Sequence, residues 1–194
     1  MHDFYDYDTI FPKIKLASER EYVAWIGRFV FEKNLPRLLK IVKYLPNLHF
    51  KIAGEEGKYS DKSSKIALQE LRESPNVTFV GYLTRKEVLP FLSNAYALLN
   101  TSYVEGFSRT FLEAFTVGTP IVTSKKVDPD AIIQKYHLGI VVEEREELGE
   151  ALKKFIYSDN LDKMALRCRE YVVGHHSPNM LVKKFIKGIG KLER

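Results

Sequence analysis

The stretch that decides the fold covers residues 95–123 and reads AYALLNTSYVEGFSRTFLEAFTVGTPIVT. It begins with a short apolar run that predicts a strand over Ala95–Leu99, and a polar loop follows. An apolar helix is then predicted over Arg109–Val117, with Gly118 just past its end. The next apolar run predicts a strand over Pro120–Thr123. A strand, a helix and a second strand in this order form the unit from which parallel sheets are built.

The same alternation continues on both sides of this stretch. Further strands are predicted from short apolar runs at Tyr22–Ile26, Leu48–Ala53, Val77–Val80 and Gly139–Val142. Helices are predicted over Leu35–Tyr44, Ser63–Arg72, a segment after the capping box Thr84–Glu87, Asp130–Tyr136, Glu146–Tyr157, Leu161–Val173 and a last segment that Ser177 and Pro178 open. Six short strands that alternate with helices predict an α/β fold. Its sheet is expected to be Rossmann-like, parallel and doubly wound, with helices on both faces.

Residues 1–20 lack clear periodicity and are predicted to be an interdomain linker or arm. Residues 21–194 are predicted to form one domain that includes the C-terminal helices. Ligands of doubly wound sheets bind beyond the carboxyl ends of the strands. The chemistry of this chain is therefore expected in the loops that directly follow its strands.

The composition excludes several classes of protein. With 45% hydrophobic and 28% charged residues, the chain is typical of a globular protein and not of a disordered one. The single cysteine, Cys168, cannot form an internal disulfide, and no metal-binding spacing occurs. No GxGxxG motif follows the first strand, which argues against a dinucleotide-dependent dehydrogenase.

The formal net charge of +5 results from 30 basic and 25 acidic residues. Steering of an anionic ligand is one interpretation, and solvated surface lysines are a simpler one. No apolar run approaches the roughly 18 residues that cross a bilayer, and the acidic, aromatic N-terminus does not resemble a signal peptide. We expect a cytoplasmic protein, with peripheral contact to a membrane surface left open.

Two carboxylates eight positions apart, Glu105 and Glu113, flank the predicted start of the helix after Ala95–Leu99. The backbone N–H groups of residues 108–110 are the unpaired donors of that start, which is a natural site for phosphate. Glu113 lies roughly 6 Å further along the axis than Arg109. An anion with hydroxyl groups on both sides fits this layout, and a nucleotide-sugar has that form. The alternative, a solvated Glu113, is disfavoured by its apolar neighbours.

Two further loops follow predicted strands. After the first strand, Gly27 allows close backbone approach, and Arg28 and Lys33 can converge on one anion. Solvated side chains are the simpler interpretation of these two cations. After the third strand, the turn Gly81-Tyr82-Leu83-Thr84 can hold a flat base through backbone hydrogen bonds, and a plain turn is the alternative.

Taken together, these residues resemble the C-terminal, donor-binding domain of GT-B fold glycosyltransferases of the large retaining group (glycosyl transferases group 1, family 4 type). The matching pieces, in the family's order, are Gly27-Arg28 with Glu32-Lys33, Gly54, Val80-Gly81-Tyr82-Leu83, Glu105-Gly106-Phe107, Leu112-Glu113-Ala114 and Gly118-Thr119-Pro120-Ile121-Val122. The family often has another glycine and an apolar residue where Ser108 and Arg109 stand. This departure leaves the shape of the pocket near the sugar open, because Arg109 either contacts phosphate or faces solvent.

The resemblance implies a role for each matching residue. Arg28 and Lys33 would bind the donor diphosphate and stabilise the departing nucleotide, and with Glu105 they would take part in catalysis. Glu105 would bind hydroxyls of the transferred sugar, and Glu113 those of the ribose. The full set of implied donor contacts is Gly27, Arg28, Lys33, Gly81, Tyr82, Leu83, Glu105, Gly106, Phe107, Ser108, Arg109, Thr110 and Glu113. The implied donor is a UDP- or GDP-sugar, and neither a metal nor another cofactor is expected.

Members of the family also carry an N-terminal acceptor domain of similar length. The resemblance therefore implies that this chain is an isolated half, whose sugar or lipid-linked acceptor would be held by the other domain. Because the cleft between the halves completes such a site, the chain alone is expected to bind donor weakly and to transfer little. A nucleotide-binding or regulatory module without transfer is the alternative. A nucleic-acid-binding domain is disfavoured, since no recognition motif accompanies the charge.

Overall fold

The computed structural model describes residues 12–57, 61–106, 108–143 and 148–177, together with Met180 and Val182. In this part of the chain, six strands form one sheet in which all neighbouring strands are parallel. The strands are β1 (Tyr22–Ile26), β2 (Phe50–Ala53), β3 (Val77–Gly81), β4 (Ala95–Leu99), β5 (Ile121–Ser124) and β6 (Gly139–Val142). Their order is β3-β2-β1-β4-β5-β6. The predicted Rossmann-like, doubly wound sheet is confirmed.

Helices cover both faces of this sheet. They are α1 (Leu35–Tyr44), α2 (Lys62–Glu73), α3 (Arg85–Ser93), α4 (Arg109–Thr116), α5 (Ile132–Lys135), α6 (Leu148–Ile156) and α7 (Leu161–His176). Val23 and Trp25 of β1 lie in one buried cluster with apolar residues of α1, α2 and α6. Tyr22 and Ala24 lie in a second buried cluster with apolar residues of α3, α4 and α7. Successive side chains of a strand point to opposite faces of the sheet, so β1 is buried on both of its faces.

A topological switch point lies between β1 and β4. The chain moves outward from β1 through β2 to β3, and then returns to β4 on the other side of β1. Val23 of β1 is in register with Phe50 of β2 and with Ala97 of β4. Since the loops after β1 and β4 diverge toward opposite halves of the sheet, a crevice opens between the carboxyl ends of these two strands.

The predicted helix over Asp130–Tyr136 begins later than expected. A 3-10 turn covers Pro129–Ala131, and α5 starts only at Ile132. Asp130 and Ala131 have positive φ angles of 56° and 52°. The carboxylate of Asp128 accepts hydrogen bonds from the N–H groups of Ile133 (2.8 Å) and Gln134 (3.0 Å). The N–H groups of the first turn are thus satisfied by a side chain, which fixes where the helix begins.

Other boundaries differ by one to three residues. β2 begins at Phe50 instead of Leu48, and α7 continues to His176 instead of ending at Val173. Glu146, the predicted start of α6, lies outside the described residues, and so does Pro178 of the predicted last helix. α4 ends at Thr116, one residue before the predicted Val117, and Gly118 lies just past its end as predicted, at a φ of 71°. A Cβ atom there would lie 3.1 Å from the carbonyl oxygen of Ala165, so the position is strained and crowded for any other residue.

Candidate functional site

Two loops build a site at the switch point: residues 27–34 after β1 and residues 100–108 after β4. They are joined by hydrogen bonds between residues far apart in sequence. The Tyr103 N–H donates to the carbonyl of Glu32 (2.9 Å), and the Thr101 hydroxyl donates to the carbonyl of Lys33 (2.7 Å). The indole N–H of the buried Trp25 donates to the Thr101 hydroxyl (3.0 Å). These bonds fix the two loops to each other and to the core beneath them.

An ion pair between Lys33 and Glu105 links the ends of these loops. The Glu105 carboxylate also accepts hydrogen bonds from the Ser102 hydroxyl (2.7 Å) and the Asn100 amide (3.4 Å). Both side chains of the pair are partly exposed. The sequence suggested two cations and two carboxylates for one ligand. Of these four side chains, Lys33 and Glu105 are in direct contact, although they are 72 positions apart in the chain.

The environment of Glu105 sets its charge state. Burial raises the pKa of its carboxyl group, but the hydrogen bonds and charge of Lys33, with the bonds from Ser102 and Asn100, outweigh burial and lower that pKa below its ordinary value. Glu105 is therefore ionised at neutral pH. It is an acceptor that two loops hold in place.

A cavity of about 220 Å³ lies beside this pair. Six of the residues predicted to contact the donor line it: Gly27, Arg28, Lys33, Glu105, Ser108 and Thr110. A Cβ atom on Gly27 would lie 3.0 Å from the Trp25 ring and 3.3 Å from the Lys33 side chain, which agrees with the close approach expected there. Arg28 is exposed at this cavity. Arg28 and Lys33, the lysine that pairs with Glu105, therefore border the same cavity.

The start of α4 borders the same cavity. Ser108 has extended backbone angles and precedes the first helical residue, Arg109. The first hydrogen bond of the turn runs from the Phe111 N–H to the Ser108 carbonyl (3.0 Å). The N–H groups at the start of a helix carry partial positive charge. Ser108 and Thr110 line the cavity, so the start of α4 lies at the space between β1 and β4.

Glu113 is buried in α4, with 8% of its surface exposed. Its carboxylate lies 3.6 Å from Nε of Arg109, one helical turn earlier. The alternative of a solvated Glu113 is therefore wrong. Glu113 is not among the lining residues of the cavity, but it lies three positions after Thr110, and residues at this spacing share one face of a helix.

The remaining predicted contacts lie elsewhere. Gly106 and Arg109 are exposed and do not belong to the lining of the cavity. The turn Gly81-Tyr82-Leu83 lies at the end of β3, two strands away from β1, and also outside the lining. Gly81 has a φ of 75°, and Tyr82 is exposed. Phe107 lies outside the described residues.

Sequence reasoning missed three residues of the site, Asn100, Thr101 and Ser102. They follow β4 directly, and their polar side chains contact Glu105, Lys33 or Trp25. The signal was present, because polar residues just past the carboxyl end of a switch-point strand are candidates by position. The contacts of Thr101 could not be assigned without the register between β1 and β4, and those of Asn100 and Ser102 depend on how their loop folds around Glu105.

The described residues contain neither a metal-binding cluster nor a membrane-spanning helix. Within those ranges, no group of three or more His, Cys, Asp or Glu side chains is placed to hold a metal ion. No helix of that part of the chain combines the length and apolarity that crossing a membrane requires.

The fold and the site define a Rossmann-like α/β domain with a polar cavity at its switch point. The sequence of residues 6–173 matches the model of the family described as glycosyl transferases group 1. The chain therefore belongs to this family. The resemblance found from Gly27-Arg28, Glu105-Gly106 and the later motifs is confirmed at the level of the family.

Curated relatives agree with this assignment. The chain is 25% identical over 178 residues to the lipopolysaccharide core biosynthesis glycosyltransferase LpsE of Rhizobium meliloti, covering 90% of this chain and 51% of the relative. It is 22% identical over 179 residues to the capsular polysaccharide biosynthesis glycosyltransferase CapM of Staphylococcus aureus, covering 88% of this chain and 44% of the relative. The chain thus spans about half the length of these curated relatives.

Solved structures share the fold. Sucrose-phosphate synthase from Thermosynechococcus elongatus aligns with a TM-score of 0.75 at 19% identity, covering 92% of this chain and 46% of that one. A mutant of S. aureus TarM, in complex with Fondaparinux, alpha-GlcNAc-glycerol and UDP, aligns with a TM-score of 0.70 at 21% identity. That alignment covers 91% of this chain and 38% of TarM. The expected relation to GT-B glycosyltransferases is confirmed for the fold.

Proposed function

We propose that this chain is the donor-binding half of a retaining glycosyltransferase. It binds a nucleotide-diphosphate sugar and presents the sugar to a saccharide or lipid-linked acceptor held by another domain. The observation that carries the proposal is the meeting of Lys33 and Glu105 at the cavity between β1 and β4. Lys33 can bind a phosphate and Glu105 can accept hydrogen bonds from hydroxyl groups. These two groups lie side by side, which suits a ligand in which a phosphate is attached to a sugar.

The diphosphate occupies the space between Arg28, Lys33 and the start of α4. Arg28 offers a planar fork to phosphate oxygens and Lys33 a compact charge. The N–H groups at residues 108–110 add the positive end of the helix. These charges also act in the reaction, because negative charge develops on the leaving diphosphate and preorganised donors stabilise it. No metal ion has a part in this proposal.

The transferred sugar lies against Glu105. Because the pKa of this carboxyl group is lowered by Lys33, Ser102 and Asn100 in spite of burial, Glu105 accepts hydrogen bonds from sugar hydroxyls as an anion. When diphosphate binds, it shares Lys33 with Glu105, so one lysine connects the phosphate and sugar subsites. Glu113 binds the ribose, and the turn at Gly81–Leu83 contacts the base of a UDP- or GDP-sugar.

In the transfer, the bond between the anomeric carbon and the phosphate oxygen breaks, and its electron pair stays on the phosphate. The acceptor oxygen bonds to the anomeric carbon on the face that the leaving group occupied, and the proton of the acceptor hydroxyl passes to the departing phosphate oxygen. The relative LpsE, named for lipopolysaccharide core biosynthesis, supports a saccharide acceptor. We place the protein in the cytoplasm, in peripheral contact with a membrane surface when its acceptor is lipid-linked.

Calorimetric titration of the chain with UDP, GDP and their sugars tests donor binding. A Kd near 100 μM corresponds to about −5.5 kcal/mol and would support the proposal. Lys33→Ala should lower the affinity for the nucleoside diphosphate at least tenfold. Lys43→Ala is the matched control, because it removes a lysine from the surface ion pair Lys43–Glu70. Absence of binding by every nucleoside diphosphate would refute the proposal.

A nucleotide-binding module without transfer gives the same titration, so a second variant separates it. Glu105→Gln keeps the shape of the side chain and removes its charge. If the chain is a transferase half, this variant binds nucleoside diphosphate but loses transfer once an acceptor half is supplied. If the unsubstituted chain gives no transfer with any acceptor half, the regulatory module is the better description.

A further inference from the structure

Two aromatic side chains, Phe31 and Tyr103, lie on the two loops that build the cavity, one on each loop. Their ring centroids are 5.1 Å apart and their planes differ by 28°, so they stack. Even so, Phe31 is 55% exposed and Tyr103 48% exposed, and the neighbouring Val104 is exposed as well. A contiguous apolar patch on a protein surface usually marks a place of interaction.

The backbone beneath the rings is held in place. Phe31 begins a 3-10 turn that ends at Lys33, and Asn34 follows it and caps α1 by accepting a bond from the Arg37 N–H (3.2 Å). Tyr103 is tied to the same turn through its N–H bond to the Glu32 carbonyl. Rings that are fixed before a ligand arrives lose little conformational entropy on binding. The pair is therefore a preformed surface.

The position of the pair separates it from the donor subsites. Phe31 lies two residues before Lys33, and Tyr103 lies two residues before Glu105. Of these four residues, only Lys33 and Glu105 line the cavity. The rings thus face the solvent side of the same loops. Glu32, which is next to Phe31 in the sequence, is exposed and carries a carboxylate that can accept hydrogen bonds.

We propose that Phe31 and Tyr103 form a platform on which a pyranose ring of the saccharide acceptor stacks. The C–H groups of one face of a pyranose are apolar and pack against the outer face of an aromatic ring, while its hydroxyl groups reach the exposed carboxylate of Glu32. The proposed donor sugar lies inside the cavity against Glu105, which leaves the solvent-exposed side of the same loops for the second sugar. The assignment to the acceptor rests on the proposed function, whereas saccharide binding by the rings does not.

Saturation-transfer NMR on the full chain with methyl glycosides of glucose, galactose and N-acetylglucosamine tests the platform. We expect at least one glycoside to bind weakly, and Phe31→Ala and Tyr103→Ala each to weaken that binding about threefold to tenfold. Tyr157→Ala is the matched control, because Tyr157 is 72% exposed and lies just after α6. Its glycoside signal should equal that of the unsubstituted chain.

Glycoside signals that are absent, or that are equal in all variants, would overturn the proposal. A variant that loses affinity for a nucleotide-sugar, but not for the nucleotide or the free glycosides, would assign the rings to the donor sugar instead. Self-association that Phe31→Ala abolishes would assign them to a protein contact. The proposed function fails separately, because loss of all nucleoside diphosphate binding leaves the glycoside signals unchanged.

Discussion

Arg20 and Lys33 are basic residues that lie before and after the central strand β1, and they differ in the contacts that hold them. Arg20 precedes β1 and is 3% exposed. Its guanidinium donates to the carbonyls of Ala95 (2.6 Å), Gly118 (2.8 Å) and Lys15 (3.1 Å), and to the Thr119 hydroxyl (3.1 Å). Lys33 follows β1, is partly exposed, and pairs with a carboxylate beside a cavity.

The difference distinguishes a structural cation from a functional one. Arg20 satisfies backbone carbonyls of three chain segments and so holds these segments together. Lys33 has one principal partner, which can share it with an incoming anion. We therefore expect Arg20 to matter for stability and Lys33 for binding, and the following variants test that separation.

The largest effect is expected for Arg20→Met. It leaves buried carbonyl groups without donors, at a cost of about 1–3 kcal/mol for each unsatisfied group, and we expect a loss of about 3–5 kcal/mol in the free energy of unfolding. Urea denaturation measures it. Arg72→Ala is the control, because Arg72 forms an exposed ion pair with Glu56 and should cost no more than about 1 kcal/mol. Equal losses in both variants would contradict the structural role.

Lys33→Ala should weaken ligand binding and leave the stability of the chain nearly unchanged. Loss of charge-assisted hydrogen bonds to phosphate should weaken the binding of nucleoside diphosphate by about 1.5–3 kcal/mol. The free energy of unfolding should change by no more than about 1 kcal/mol, because the ion pair is partly exposed. Calorimetry and urea denaturation on the same preparation give both values. A variant that unfolds readily but binds normally would break the comparison.

Thr101→Val tests the connection between the two loops. Valine keeps the shape of the side chain but removes the hydroxyl that accepts from Trp25 and donates to the Lys33 carbonyl. We expect a loss of about 1–3 kcal/mol in stability, together with faster amide hydrogen exchange at residues 31–34. Exchange that stays unchanged would mean that the loops do not depend on this bond.

The smallest effect concerns pH and Glu105. Its pKa in the folded chain is lowered, so its contribution to stability is fully present above the ordinary carboxyl pKa of roughly 4.3 and is lost as the pH falls through the folded-state value. The difference in unfolding free energy between the unsubstituted chain and Glu105→Gln should therefore decrease below about pH 4. Comparing the two chains cancels the other carboxyl groups that titrate in this range. A difference that stays constant down to about pH 2 would contradict the assignment.

Much of the fold could be predicted because its signals are local. β1, β4, β6 and α1 have the predicted bounds, since short apolar runs and helical spacing fix them within a few residues. The capping box was also correct, as the Glu87 carboxylate accepts from the Thr84 N–H (2.8 Å) before α3. The start of α5 was wrong, because Asp128 satisfies N–H groups five and six residues away and the chain between them turns in positive φ.

The candidate site was predicted only in part, because a sequence gives the type and position of a side chain but not its contacts. Arg28, Lys33, Glu105 and the helix start were chosen by type and by position after strands, and the structure brings them to one cavity. Asn100 and Ser102 were not chosen, because nothing in the sequence tells which carboxylate a loop amide or hydroxyl will contact. Arg20 was overlooked for the same reason, as its partners Ala95 and Gly118 lie 75 and 98 positions away.

The sequence by itself determined the family, the six strands and the residue types of the site, because hydrophobic periodicity and short motifs are written along the chain. The tertiary structure decided which of these residues meet. Placing β1 beside β4 pairs Lys33 with Glu105 and stacks Phe31 on Tyr103, and the folded chain buries Glu113 in α4. These contacts depend on the order and register of parallel strands, which arise from packing between segments that are distant in sequence.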